Sequence, residues 1–168
     1  MIATLITPRL TLRAARAEDA AALGRFISGP RSPGIGGPSP ASAAAEWIAH
    51  VLGNWQRRGC GLWDITLTAI GEAIGRSGVL HHDGWPEPEL AWHLYDGFEE
   101  QGFRAEAAAA ARDHLQGPLG LPPMFSFVEP PNTRSRGVAR RLGAVVERQA
   151  EWEGLTFDIF RHRPGASA

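Results

Sequence analysis

Two stretches of the sequence hold groups whose types and spacing could do chemistry. The first, ELAWHLY–DGFEEQG–FRAEAAAAARDHL, runs from an alternating strand through a short turn into an alanine-rich helix. The first amides of such a helix lack an intrahelical partner. With the positive end of the macrodipole they favour an anion such as a pyrophosphate. His93 sits mid-strand on the face opposite Trp92, where a histidine is either a packing residue or a base. The second stretch, FSFVEPPNTRSRGVARRLGA, ends a strand at Glu129, places Asn132, and opens a helix with Ser135 in its first turn. Glu129 is either a solvated strand end or a carboxylate base facing a cleft, directly or through water. The Ser135 hydroxyl either bonds locally to backbone or is free for chemistry. Arg134, Arg136, Arg140 and Arg141 crowd the same helix, with Arg136 and Arg140 sharing a face at i, i+4. Such runs are usually solvated, although one or two guanidiniums could reach phosphates.

Other reactive residues carry less. His81, His82 and Asp83 lack the spacing that would bring metal ligands together on one helix face, and read as a surface turn, so no metal is expected. Cys60 lies between two glycines with no nucleophile motif and reads as structural. Trp47, Trp55 and Trp92 fit core stripes, whereas Trp85 falls in a polar loop.

The elements that must position these groups follow from periodicity. Ile2 to Arg13 alternates as an opening strand, and Ala17 to Ser28 reads as an amphipathic helix. GPRSPGIGGPSP, residues 29–40, interrupts both patterns and is expected to be a long internal loop. A second helix spans Ser42 to Arg57, followed by strands at Leu62 to Ile70, Ala73 to His81 and Glu89 to Tyr95. Gln101 to Leu115 is a helix by alanine propensity. Met124 to Val128 is a strand, Asn132 to Leu142 a helix, and Ala144 to Gln149 and Leu155 to Phe160 two late strands. Residues 161–168 read as a frayed tail. The order β-α-α-β-β-β-α-β-α-β-β implies an α/β (α+β) fold, with a mixed twisted sheet and helices on both faces. At 168 residues the chain is expected to form a single domain, 1–168. A net charge of −1 gives no reason to expect nucleic acid or an anionic membrane. The lone cysteine suits a reducing compartment, and no signal-like or membrane-spanning run is evident, so a cytoplasmic location is expected.

Together the two reactive stretches resemble the RimJ/RimL-like branch of the GNAT acetyltransferases. Glu89, Leu90, Trp92 and Leu94 match its E-L-x-W/Y-x-L strand, and Gly102, Phe103, Glu106 and Ala107 its turn and helix. Asn132, Ser135, Ala139, Leu142 and Gly143 match the final motif, and Thr7 to Leu23 resembles the family's opening strand and first helix. The resemblance implies an N-acetyltransferase that moves the acetyl group of acetyl-CoA directly to a primary amine, either a small amine or a protein N-terminus. It implies a coenzyme site where the fourth and fifth strands splay apart. The pantetheine would meet the backbone of His93, Leu94 and Tyr95. The pyrophosphate would meet Gln101, Gly102, Phe103, Arg104 and Ala105, with Asn132, Ser135 and Arg140 contributing. Ser135 then stands as proton donor, and Glu129 or His93 as base. The Tyr common one turn further on in the family is replaced by Ala139. Glu99 and Glu100 stand where the family usually has Arg or Gln followed by Gly, and Arg104 replaces a small residue. Those departures are what a non-catalytic acyl-CoA-binding or sensor module would show, the alternative reading. A monomer or homodimer is expected.

Overall fold

The computed structural model describes residues 1–81, 87–152 and 154–163. The opening strand divides in two, β1 (Leu5–Ile6) and β2 (Leu10–Arg13). Pro8 cannot donate to a ladder, and Thr7 turns the chain there. Its amide and hydroxyl both donate to the Leu10 carbonyl while the hydroxyl accepts from the Leu10 amide. Two helices follow, α1 (Ala20–Ile27) and α2 (Ala44–Arg58), then the meander β3 (Leu62–Leu67), β4 (Ala73–Leu80) and β5 (Glu89–Leu94). Next come α3 (Phe103–Gln116), β6 (Met124–Val128), α4 (Thr133–Arg141), and the hairpin β7 (Val145–Trp152) and β8 (Leu155–His162). Within the stretch expected to be loop, Ser32–Ile35 makes a short 3-10 turn.

The strands form one mixed sheet in the order β1-β2-β3-β4-β5-β6-β8-β7. The β5–β6 pairing is parallel and the others are antiparallel. Helices cover both faces, as the period-2 and period-3.6 patterns implied. On one face Leu23, Phe26 and Ile27 of α1 and Ile48 of α2 pack around Tyr95. On the other, Ala107, Ala111 and Leu115 of α3 pack on Leu10, Leu12, Leu90 and Leu94. Alanine faces the sheet at three fully buried positions of α3 (Ala107, Ala108, Ala111), which lets that helix lie close to the strands it must position.

The ladder fails at one place. β5 and β6 share a single paired position, Glu89 with Phe125, and diverge beyond it. The Ser126 hydroxyl holds the start of the divergence, donating to the Leu90 carbonyl at 2.5 Å and meeting His162 Nε2 at 2.8 Å. His162 is fully buried and Arg161 is paired with Glu147 at 2.7 Å. These two residues therefore belong to the sheet rather than to a frayed tail; residues 164–168 lie outside the described ones. Among the described residues no helix is long and apolar enough to cross a membrane.

Candidate active site

The gap between β5 and β6 opens into two hollows. One, of about 330 Å³, lies at the N-terminus of α3 and includes Leu94, Gly102, Arg104, Ala105, Arg134 and Arg141. The turn that feeds it is unusual. Gly97, Glu100 and Gly102 all take positive φ (91°, 65° and 80°), and among the described non-glycine residues Glu100 alone does so. Left-handed residues interspersed in a turn can aim backbone amides into an anion-binding concavity, and the amides at the start of α3 add to it. The Arg104 Nε is buried without a partner. Burial, and then Arg31, lower its pKa. An anion there would relieve both terms.

The carboxylates that look hostile to a pyrophosphate are partly disarmed. Glu99 is bound by Arg31 and accepts the Gly97 amide at 2.9 Å. Its pKa is lowered: burial acts upward, but its backbone bonds and Arg31 prevail. Glu100 is largely exposed and pairs with Arg134 at 3.1 Å. The helix phase also differs from the sequence expectation. Asn132 caps α4, its Oδ1 accepting the Ser135 amide at 3.0 Å. Arg134, Gly137, Val138 and Arg141 then form the i, i+3, i+4, i+7 stripe on the hollow. Arg140 lies off that stripe and lines neither hollow, and Arg136 is bound to Asp158. Gln101, within the turn, and Phe103, just after it, do not line the hollow, and the Gln101 carbonyl accepts from Arg9 Nη1 at 2.9 Å.

The second hollow, about 870 Å³, runs from the gap to α2 and the 29–40 loop. It gathers Glu89, His93, Asn132 and Ser135. Glu129 is exposed and lines neither hollow, because the strand ends before it and its carbonyl is taken by the Asn132 amide at 2.9 Å. The carboxylate that lines the cleft at the gap is Glu89. Its Oε1 accepts the Phe127 amide at 3.2 Å across the gap. Burial pushes its carboxyl up to about 8, the Phe127 bond acting the other way. The sequence had quoted Glu89 only as the first letter of a strand motif. The missed signal was a carboxylate at the first position of a half-buried strand, at the one place where that strand pairs with β6.

His93 stacks on Phe26, ring centroids 5.3 Å apart and nearly parallel. Burial, then Arg76, Arg104 and Arg31, lower its pKa to about 3. It is neutral at any ordinary pH and too weak a base to hold a proton, so the packing alternative fits. The expected backbone contacts shift as well. The Tyr95 amide donates to the Ile74 carbonyl at 2.8 Å. Because antiparallel amides alternate sides, Tyr95 and His93 belong to β4, and Trp92 and Leu94 turn theirs toward the gap. The Tyr95 hydroxyl is buried in the α1 cluster and outside both hollows, its pKa raised by that burial.

Beneath the cleft a row of polar groups crosses four strands in register: Arg13 with Asp64, Asp64 with Arg76, Arg76 with His93. Arg13 pairs with Asp19 at 2.8 Å, and Arg76 Nε with Asp64 at 2.6 Å. Asp64 and Arg76 are 0% and 1% exposed. Burial pushes the Asp64 carboxyl up to about 6 against the pull of Arg76. Asp64 Oδ2, Arg76 Nη2, His93 Nε2 and the Tyr95 hydroxyl lack protein partners, which marks a place for ordered water.

Among the described residues no three His, Cys, Asp or Glu side chains are gathered as metal ligands. His82, Asp83 and Trp85 lie outside the described residues. Cys60 is half-buried, and burial raises its pKa, which keeps it a thiol.

Comparison with known proteins gives concordant results. A profile of the acetyltransferase (GNAT) domain matches residues 9–145. An acetyltransferase from Agrobacterium tumefaciens is 39% identical over 97% of this chain and 95% of that one, with a TM-score of 0.86. An acetyltransferase (GNAT family) from Bacillus anthracis shares the fold at 16% identity, covering 95% of this chain and 96% of that one, with a TM-score of 0.77. Mycobacterium smegmatis RimJ, solved in complex with CoA-disulfide, does so at 19% identity over 95% and 85% of the two chains, with a TM-score of 0.77.

Proposed function

The chain belongs to the GNAT family of acetyltransferases, and we propose that it transfers the acetyl group of acetyl-CoA to a primary amine, working as one domain over residues 1–168. The observation that carries this reading is one gap in a sheet with two unlike ends. At one end are a left-handed turn, a helix N-terminus and three arginines; at the other, a buried carboxylate whose pKa is about 8. The first suits the coenzyme's phosphates, with Arg104, Arg134 and Arg141 in the role expected of Arg140. The second suits an amine that arrives protonated.

The coenzyme supplies the thioester. Glu89 takes a proton from the ammonium, and the freed nitrogen forms a bond to the acetyl carbon as the carbon–sulfur bond breaks. The nitrogen's second proton passes through water to the departing thiolate, or to the Ser135 hydroxyl as that hydroxyl gives its own proton to the thiolate; the first proton leaves Glu89 to solvent. An alkylammonium releases its proton near 10.4, so a carboxylate near 8 lies about two units below it. An ordinary glutamate would lie about six units below. The Trp92 and Leu94 amides hold the pantetheine arm, and Asn132, its oxygen occupied by the cap, offers its NH₂ group. The RimJ neighbour's coenzyme complex agrees with this use of the fold. The test is Glu89→Gln. Free-thiol release from acetyl-CoA with an accepted amine should fall by roughly 10²–10⁴-fold, with acetyl-CoA affinity retained. Undiminished turnover would remove Glu89 from the mechanism.

A further inference from the structure

The larger hollow extends well beyond the gap, and its far part has a consistent chemistry. Trp47 of α2 stands at one end. Trp152 and Phe157 of the β7–β8 hairpin stand at the other, with Phe127 of β6 beside them. Phe127 and Phe157 meet edge to face, centroids 5.4 Å apart, an arrangement that another ring can extend. Trp152 is 45% exposed, so an aromatic face already stands toward solvent at the mouth. On α2, Glu46, His50 and Asn54 follow one another at i, i+4, i+8 and put one carboxylate on the rim. With Glu89 that makes two carboxylates in the cleft among the described residues. Arg76, the arginine among the described lining residues, gives its Nε to Asp64, which matches its charge from beneath the cleft. The cations that face the gap, Arg104, Arg134 and Arg141, are all in the other hollow. The wall over α2 is built from the 29–40 loop, pinned by the Ser39 amide on the Ile27 carbonyl (2.8 Å) and the Gly37 amide on the Ser32 carbonyl (2.9 Å). A hollow of about 870 Å³ that also receives the thioester arm leaves room for a compact acceptor.

Resting on the acetyl-transfer reading above, we infer that the acceptor is a small primary amine on an aromatic body, an arylalkylamine that enters as its ammonium ion and carries no carboxylate next to the nitrogen. The ring fills the space lined by Phe127, Trp152 and Phe157, and Glu46 draws the cation in. The aromatic faces favour the ammonium on its way to Glu89. Among the described residues, a carboxylate beside the amine would meet two glutamates and an arginine whose charge Asp64 already matches. A polyamine would leave the aromatic walls unfilled.

The experiment uses the full chain, with acetyl-CoA binding measured by calorimetry and thiol release measured with five acceptors: 2-phenylethylamine, ethylamine, phenylalanine, spermidine and a tripeptide amide beginning with phenylalanine. The expected result is that kcat/KM for 2-phenylethylamine exceeds that for ethylamine, phenylalanine and spermidine by at least about tenfold, the least that burying a ring contributes. It should also exceed that for the peptide. Glu46→Gln, an exposed change on α2, should raise KM for 2-phenylethylamine roughly two- to fivefold with kcat and acetyl-CoA affinity unchanged. Trp152→Ala should raise it by at least as much, with its melting temperature checked beside it. Preference for spermidine, phenylalanine, ethylamine or the peptide overturns the inference and leaves acetyl transfer standing. Acetyl-CoA binding with no thiol release from any amine also overturns it. Absence of acetyl-CoA binding removes the underlying reading as well.

Discussion

Glu100 stands at φ 65° in the turn that faces the coenzyme phosphates. A side chain in the left-handed region costs roughly 1–2 kcal/mol relative to the right-handed one, whereas glycine takes either sign of φ freely. Glu100→Gly removes that cost, but the unfolded chain gains freedom worth up to about 1 kcal/mol. The exposed pair with Arg134, worth about 0–1 kcal/mol, is lost too. The net expectation is a change in melting temperature between a fall of about 4 °C and a rise of about 8 °C, at about 2–4 °C per kcal/mol for a chain of this size. The coenzyme responds differently. The substitution removes one carboxylate and releases Arg134 to the phosphates, each on the order of 1 kcal/mol in water and reduced by salt. Acetyl-CoA should therefore bind a few-fold to about tenfold more tightly, and the gain should shrink as salt rises. Glu100→Gln separates the two causes, because it keeps the strained backbone and loses only the charge. Calorimetry of both variants at low and high salt, with thermal melts beside it, reads every term. If Glu100→Gly binds acetyl-CoA no better than the wild type, Glu100 and Arg134 do not act on the phosphates, and the charge argument fails.

The remaining predictions are shorter. Activity should rise with pH through about 8 as Glu89 loses its proton, and the Glu89→Gln variant should lack that limb. The same shift has a stability sign. Glu89 holds its proton to about 8 when folded but only to about 4.5 when unfolded, so the wild type should lose stability as pH rises across that window. Glu89→Gln should flatten the loss and be the more stable protein at pH 9 in denaturant titrations. Ser135→Ala should lower turnover about tenfold to a hundredfold with acetyl-CoA affinity intact; normal turnover would assign the proton to water. Asn132→Ala should cost about 1 kcal/mol of stability through the lost cap and weaken acetyl-CoA binding. Asn132→Asp should keep the cap yet still bind acetyl-CoA poorly, and equal behaviour of the two in binding and stability would refute the division of labour.

The fold was legible because its signals are periodic. Leu90, Trp92 and Leu94 alternate, α3 declares itself by alanine, and glycine and proline mark the 29–40 loop. The site was legible only in part. Asn132 and Ser135 are found in the cleft because the helix start fixes them. Arg140 was mistaken for a cleft residue because a run of four arginines says nothing of helix phase until the cap at Asn132 is known. Glu129 was read as a candidate base and Glu89 passed over because burial of a strand end depends on the neighbouring strand. That neighbour, β6, pairs with β5 at a single position that no local pattern announces. The left-handed character of a turn is equally silent, and Glu100 reads as an ordinary polar residue in sequence.

The row of Arg13, Asp64, Arg76 and His93 also acts as a register lock. Every second residue of a strand faces the same side, so sliding β4 by one position would turn Arg76 to the face covered by α3 and strand Asp64. A buried charge left without its partner costs roughly 3–5 kcal/mol, a large part of the 5–15 kcal/mol that holds a typical domain together. Misaligned pairings of the meander are thereby removed from the low-energy ensemble once the helices cover the sheet. Substitution is constrained in the same way: Asp64 and Arg76 can be exchanged together for a matched apolar pair far more readily than either can be altered alone.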